Sequence, residues 1–255
     1  MTAFILKLIA CLAMLVDHSA LVFESQLTAV SPWLYTGCRM FGRLAFPIFA
    51  LGIAEGTTHT SKPGKYLLRM FVFAILAQLP FSMMVGTRIP SFTMDLFGLQ
   101  VPLYRSFSVM VTLFLGLAAC LSIHKGKHFW AAVAIIAAFM IDRTVGMDYG
   151  FLGVLFIVCL YLARGSKLQR LVVVMLFAVC FYFSPMAVFA KQLLSKTAEV
   201  KVTQSVLYCA SMAFSGIVML LYNKQRGPSA KLFIYCFYPV HMLILWLFWA
   251  FDKII

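Results

Sequence analysis

Acidic residues are scarce in this chain. Its 255 residues hold eight Asp and Glu against 21 Lys and Arg, and only 11% of all residues are charged. Soluble globular domains carry about 25% charged residues, so a water-facing surface of ordinary size is excluded. Cys-x-x-Cys is absent as well. Six of the seven cysteines (Cys11, Cys120, Cys159, Cys180, Cys209, Cys236) lie within apolar runs. They read as small packing residues, which excludes a disulfide framework and leaves no metal site. No connection between apolar runs is long enough to hold a soluble domain. No small-x-small cleavage site follows the first run, so it reads as a retained helix and not as a signal peptide.

Apolar residues fill the space that charge leaves. They make up 63% of the chain, with a mean hydropathy of +0.97, 25 Phe and 15 Met. That composition fits an all-α, polytopic transmembrane bundle. The formal charge of +13 is dispersed between apolar runs and forms no patch on a soluble domain. Membrane orientation therefore explains it better than nucleic acid does.

A bilayer requires roughly 20 apolar residues per crossing. On that measure about nine spans emerge, over residues 4–23, 39–54, 66–85, 106–123, 128–142, 149–163, 170–188, 205–222 and 231–250. The longest connection, Gly86 to Arg105, carries Pro90, Asp95 and Pro102 and reads as a re-entrant or interfacial loop. Connections after even-numbered spans hold Lys62, Lys65, Arg69, Lys125, Lys127, Arg164, Lys167, Arg170, Lys224, Arg226 and Lys231. Those after odd-numbered spans hold most of the acids. The positive-inside rule then places the N-terminus inside and the C-terminus outside. Lys191, Lys196 and Lys201 run against this pattern.

Asp17 and His18 interrupt the first span. An ionisable group at that depth costs about 3 kcal/mol or more, and it usually faces a protein interior or a water-filled cavity. Neighbouring helical residues diverge by about 100°, so Asp17 requires a partner on another helix. Arg43 in the second span lies at similar depth, and an Asp17–Arg43 pair would leave His18 free to act. Lys7 shares the face of His18, three turns away, as a snorkelling anchor or as part of a polar stripe. Pro47 and Pro239 each interrupt a span, freeing the carbonyls of Arg43 and Tyr235. Tyr238 and His241 then share one face of the last span. Glu55 ends the second span, followed by Lys62, Lys65, Tyr66 and Arg69. This run is either a topology anchor or a seat for an anionic cytoplasmic ligand. Asp148-Tyr149-Gly150 opens the sixth span, where an acid suits a helix N-terminus and a tyrosine suits the interface.

Four segments in order resemble the TraX family, whose best-known members N-acetylate pilin in conjugative transfer. They are Leu15-Val-Asp17-His18, Gly42-Arg43-Leu-Ala-Phe-Pro47-Ile-Phe49, Asp148-Tyr149-Gly150-Phe-Leu-Gly153 and Phe237-Tyr238-Pro239-Val-His241. More distantly, the arrangement is similar to multi-pass membrane acyltransferases. Ser108 stands where the family tends to have an Asn.

The resemblance implies a single integral-membrane acyltransferase domain over residues 1–255, in a bacterial inner membrane. It would move acetyl from cytoplasmic acetyl-CoA to a pilin-like acceptor outside, with no metal and no nucleic acid. In that reading His18 is the general base, its unperturbed pKa of about 6.5 suited to the task. Asp17 pairs with Arg43, and Arg43 stabilises the oxyanion. Glu55, Lys62, Lys65 and Arg69 receive the donor, while Tyr149, Tyr238 and His241 contribute to substrate binding. A proton-coupled transporter and a non-enzymatic pilus-assembly subunit are the alternatives.

Overall fold

Each apolar run folds into a helix, because in hydrocarbon every backbone polar group has to be satisfied within the protein. The computed structural model describes residues 1–96, 99–183, 198–228 and 231–254. It places α1 at Ala3–Val22, α2 at Glu24–Val30, α3 at Pro32–Gly42, α4 at Ala45–His59 and α5 at Pro63–Gly86. After a hairpin follow α6 at Val109–His124, α7 at His128–Thr144, α8 at Gly150–Leu162 and α9 at Lys167–Phe183. The last two are α10 at Ala198–Leu220 and α11 at Lys231–Ile254. All nine expected spans have a helical counterpart, although the seventh beyond Phe183, with Lys191 and Lys196, lies outside the described residues. The side chain of Lys201 does too.

By length and composition, five stretches can cross a membrane: Ala3–Val22, Pro32–His59, Pro63–Gly86, Thr203–Leu220 and Leu232–Asp252. The protein is a membrane protein, and its outer surface shows it. Leu68, Phe71, Ile75 and Leu79 form an exposed stripe on α5 at helical spacing, and Phe129, Val133, Ile136 and Met140 do so on α7. Stripes of this size suit lipid and would be a liability in water.

The centre is built differently. Helices α4, α6 and α8 have 15, 16 and 13 residues, about 20–24 Å at 1.5 Å per residue. That is shorter than a hydrocarbon core of about 30 Å. These three pack on one another, with α1 against α4, α5 against α6, and α11 against α1 and α5. Short helices enclosed by longer ones leave room at one end of the bundle.

The second span is broken. α3 ends at Gly42 and α4 begins at Ala45. Pro47 is the cause, since its ring and missing N–H exclude a helical bond to Arg43. Pro80 and Pro239, in contrast, stay inside continuous helices. The long connection, expected as a re-entrant or interfacial loop, contains an antiparallel hairpin of β1 (Phe92–Leu96) and β2 (Leu99–Leu103). It is pinned to α5, where the Tyr104 amide donates to the Ser82 carbonyl at 2.9 Å. A side chain at Gly86 would collide with the Pro102 carbonyl at 2.3 Å.

The connections sort to two ends. At one, the N-terminal amine donates to the Leu221 carbonyl at 2.6 Å and the Ala3 amide to Gln225 at 2.8 Å. At the other, Arg88 Nη2 donates to Glu24 at 2.9 Å. Phe107 pairs there with Met147. That alternation fits the span count.

Candidate functional site

Asp17 and His18, adjacent on α1, point to different partners, as helical geometry requires. Asp17 enters the break between α3 and α4. A Cβ on Gly42 would lie 2.2 Å from the Asp17 Cβ, so only glycine admits the carboxylate there. Arg39 Nη1 donates to Asp17 Oδ2 at 2.7 Å and to the Asp17 carbonyl at 3.3 Å. Arg43 Nη2 stands 3.9 Å from Asp17 Oδ1. The sequence pointed to Arg43 as the partner of Asp17, and the structure makes Arg39 the nearer one. Both arginines lie within reach because they are one helical turn apart. Arg43 turns further inward, toward the Tyr182 hydroxyl, and lies 5.1 Å from the ring centre of Tyr208. Its Nε and Asp17 Oδ1 are buried without a hydrogen bond.

His18 faces α11. Its Nδ1 lies 2.8 Å from His241 Nε2, with the ring planes 8° apart. His241 Nδ1 lies 2.6 Å from the Phe237 carbonyl. A carbonyl only accepts, so the hydrogen-bond network assigns the His241 proton to Nδ1 and leaves its Nε2 as acceptor. His18 Nδ1 then has to donate. Among the described residues nothing bonds His18 Nε2, which remains a basic nitrogen with an open lone pair.

That ring lines a cavity of about 290 Å³ together with Asp17, Arg39, Arg43, Asp148, Tyr149 and Tyr238. Tyr149 has a left-handed backbone (φ 60°), a strained conformation for a residue with a Cβ, of the kind found at functional sites. Its ring stacks on Phe46 with centroids 3.8 Å apart. Gly150 (φ 55°) follows, and a Cβ there would meet the Asp142 carboxylate at 2.8 Å. Asp142 Oδ2 accepts from the Phe151 amide at 3.0 Å, so the acid serving the start of α8 is Asp142 and not Asp148. Asp148, in the connection before α8, faces the cavity. Burial pushes its carboxyl up to about 6, opposed by Arg43.

Five of the expected residues meet around this void: Asp17, His18, Arg43, Tyr149 and Tyr238. His241 sits behind His18 as its hydrogen-bond partner. The other four lie elsewhere. Glu55, at the opposite end of α4, has its Oε1 3.1 Å from Arg170 Nη1. Lys62, Lys65 and Arg69 belong to the start of α5, and Phe81 of the cavity wall lies twelve residues after Arg69. That is about 18 Å at the helical rise. Arg69 lies 5.9 Å from the ring centre of Tyr235. Lys7 packs against Gly52 of α4, where a Cβ would come within 3.6 Å of Lys7 Cε. It is therefore directed at a neighbouring helix and not at lipid.

Sequence reasoning left Arg39 out and gave Asp148 only the part of a helix-start acid. Arg39 carries a local signal, since it precedes Arg43 by four residues. Asp148 lies in a segment that the sequence singled out, but its place on the cavity wall is set by the helices packed around that connection.

Helices fit to span a bilayer, enclosing a small void lined by two carboxylates, two guanidinium groups and an imidazole, define an integral membrane protein with an internal polar site. The chain belongs to the TraX protein family, which it matches over residues 3–249. It is 40% identical over 85 residues to the probable fimbrial assembly protein FimC, serogroup H1, of Dichelobacter nodosus. That stretch is 33% of this chain and 33% of the relative. The chain thus matches about a third of the length of its curated relative. No solved structure matches it.

Proposed function

We propose that this protein is a membrane acetyltransferase serving pilus biogenesis. It takes acetyl from cytoplasmic acetyl-CoA and delivers it to the N-terminal amine of a pilin-like subunit on the outer side. Membership of the TraX family and the likeness to a fimbrial assembly protein support the pilus context. The observation that carries the chemistry is the Phe237–His241–His18 chain, which holds one imidazole with its Nε2 unpaired at the cavity it shares with Asp17, Arg43 and Tyr238.

In this reading His18 Nε2 accepts the proton of the attacking amine, a role worth about 10²–10⁴-fold in rate. His241 is a positioning residue that fixes the tautomer and ring angle of His18. Asp17 anchors Arg39 and Arg43, and Arg43 supplies positive potential where charge develops. The donor's phosphates sit at Lys62, Lys65 and Arg69 on the cytoplasmic side, and its acyl arm runs along α5 to the cavity. Glu55, paired with Arg170, holds α4 and α9 together at that same end. The N-terminus is cytoplasmic, in an inner membrane, by the distribution of basic residues.

The test uses purified protein in detergent, [¹⁴C]acetyl-CoA and a peptide carrying a free N-terminal amine. Label should pass to the peptide, and CoA should raise the melting temperature of the protein. A proton-coupled transporter or an assembly scaffold would do neither.

A further inference from the structure

Helices α4, α6 and α8 run in the same direction, and all three begin at the cavity. Ala45, Val109 and Tyr149, at or immediately before their first turns, line it. Each N-terminus presents roughly half a positive charge. Such ends accommodate anions, and Arg39 and Arg43 add two full charges opposite Asp17.

At the start of α6 two hydroxyls are left open. Ser108 precedes the helix but makes no capping bond, and its hydroxyl is fully buried without a partner. Tyr238, 4% exposed, brings its hydroxyl up to the Val109 amide and the Ser108 hydroxyl. Neither approach closes to a hydrogen bond, so the phenol also lacks a partner. The segment is held rigidly from behind. Gln78 Oε1 accepts from the Ser108 amide at 3.0 Å, and Gln78 Nε2 donates to the Ser106 carbonyl at 2.7 Å. The Phe107 carbonyl accepts from the Asp148 amide at 2.8 Å. The ring centres of Tyr238 and His18 are 6.4 Å apart, close enough for a base and an electrophile-binding group to serve one carbonyl between them.

We infer that Tyr238, backed by Ser108 and the N-terminus of α6, is the hydrogen-bond donor to the oxyanion of the thioester carbonyl. This rests on the acetyl-transfer reading and deepens it. The amine nitrogen forms a bond to the acetyl carbon, and the carbonyl π pair moves onto oxygen, where the Tyr238 O–H receives it. His18 Nε2 takes the proton from nitrogen. The oxygen pair then re-forms the carbonyl, the C–S bond breaks, and the CoA thiolate leaves and takes the proton back from His18. The products are the amide and free CoA. Arg43 contributes charge from a distance, and Tyr238 makes the contact.

A carbonyl stretch reports this contact directly. Acetyl-CoA labelled with ¹³C at the carbonyl is bound to the purified protein and read by isotope-edited infrared difference spectroscopy. The wild-type band should move to lower frequency than that of free acetyl-CoA. Tyr238→Phe should return it toward the free value with donor still bound, and Ser108→Ala should return it part of the way. In the transfer assay Tyr238→Phe should lower kcat about 10²–10³-fold, with little change in KM for acetyl-CoA. A red-shifted band that persists in both variants overturns the assignment while leaving the acetyltransferase intact. Absence of any bound acetyl-CoA band in the wild type overturns the enzyme reading itself, and this inference with it.

Discussion

The two ends of this bundle each bury an ion pair, and the pairs are built to different ends. At the N-terminal end Glu55 on α4 meets Arg170 on α9. Arg170 also donates through Nη2 to the Arg164 carbonyl, which ties it down. One carboxylate answers one guanidinium. At the cavity end one carboxylate, Asp17, answers two guanidinium groups, the second held off at 3.9 Å. A void of about 290 Å³ adjoins that set, and His18, hydrogen-bonded to His241 behind it, stands on its wall. Buried ion pairs alone are weak evidence for stability, because desolvation offsets much of their attraction. What sets the cavity end apart is the open imidazole nitrogen and the space beside it, next to two guanidinium groups and the carboxylates of Asp17 and Asp148.

The comparison can be broken by mutation. The largest expected effect is on rate, at the cavity end. His18→Ala should reduce acetyl transfer by about 10²–10⁴-fold, with a melting temperature close to wild type, since no buried charge loses its partner. Equal loss of folding and activity would make His18 a packing residue.

Next is stability at the same end. Asp17→Asn removes the carboxylate that both arginines face, and breaking a buried pair costs about 3–5 kcal/mol. Adding Arg39→Gln should restore more of that loss than adding Arg43→Gln, because the Arg39 contact is the shorter. A double-mutant cycle of unfolding free energies reads the difference. Equal rescue by both would remove the distinction between the arginines drawn above.

At the opposite end, Glu55→Gln should lower stability by a similar mechanism while leaving the transfer rate per folded molecule unchanged. The double variant Glu55→Gln with Arg170→Gln should recover most of the loss. A fall in rate beyond the loss of folded protein would bring Glu55 into the donor site.

Smallest is the effect on donor affinity. Replacing Lys62, Lys65 and Arg69 together by Gln should raise KM for acetyl-CoA with kcat little altered. Each charged hydrogen bond lost is worth about 1.5–3 kcal/mol at most, and exposed lysines fall well below that. An unchanged KM would leave these residues as topology anchors.

The helices were legible because a bilayer demands long apolar windows and this chain supplies them with few interruptions. The break at Arg43–Leu44 was legible from Pro47. The hairpin at Phe92–Leu103 was not, because its register depends on contact with α5 and on the absence of a side chain at Gly86. The choice of Arg39 over Arg43 depends on how the broken span bends toward α1. The His18–His241 bond joins residues 223 positions apart, and nothing local in either segment announces it. Sequence placed both histidines inside the membrane and left their relation open.

That relation is the centre of the account, and single-turnover transfer measures it most directly. Protein reconstituted in liposomes, supplied with [¹⁴C]acetyl-CoA, is mixed with the amine peptide and quenched over time for wild type, His18→Ala and His241→Ala. The account predicts transfer by wild type, almost none by His18→Ala, and an intermediate rate for His241→Ala with donor binding retained in all three. Wild-type transfer rates in both variants would contradict it.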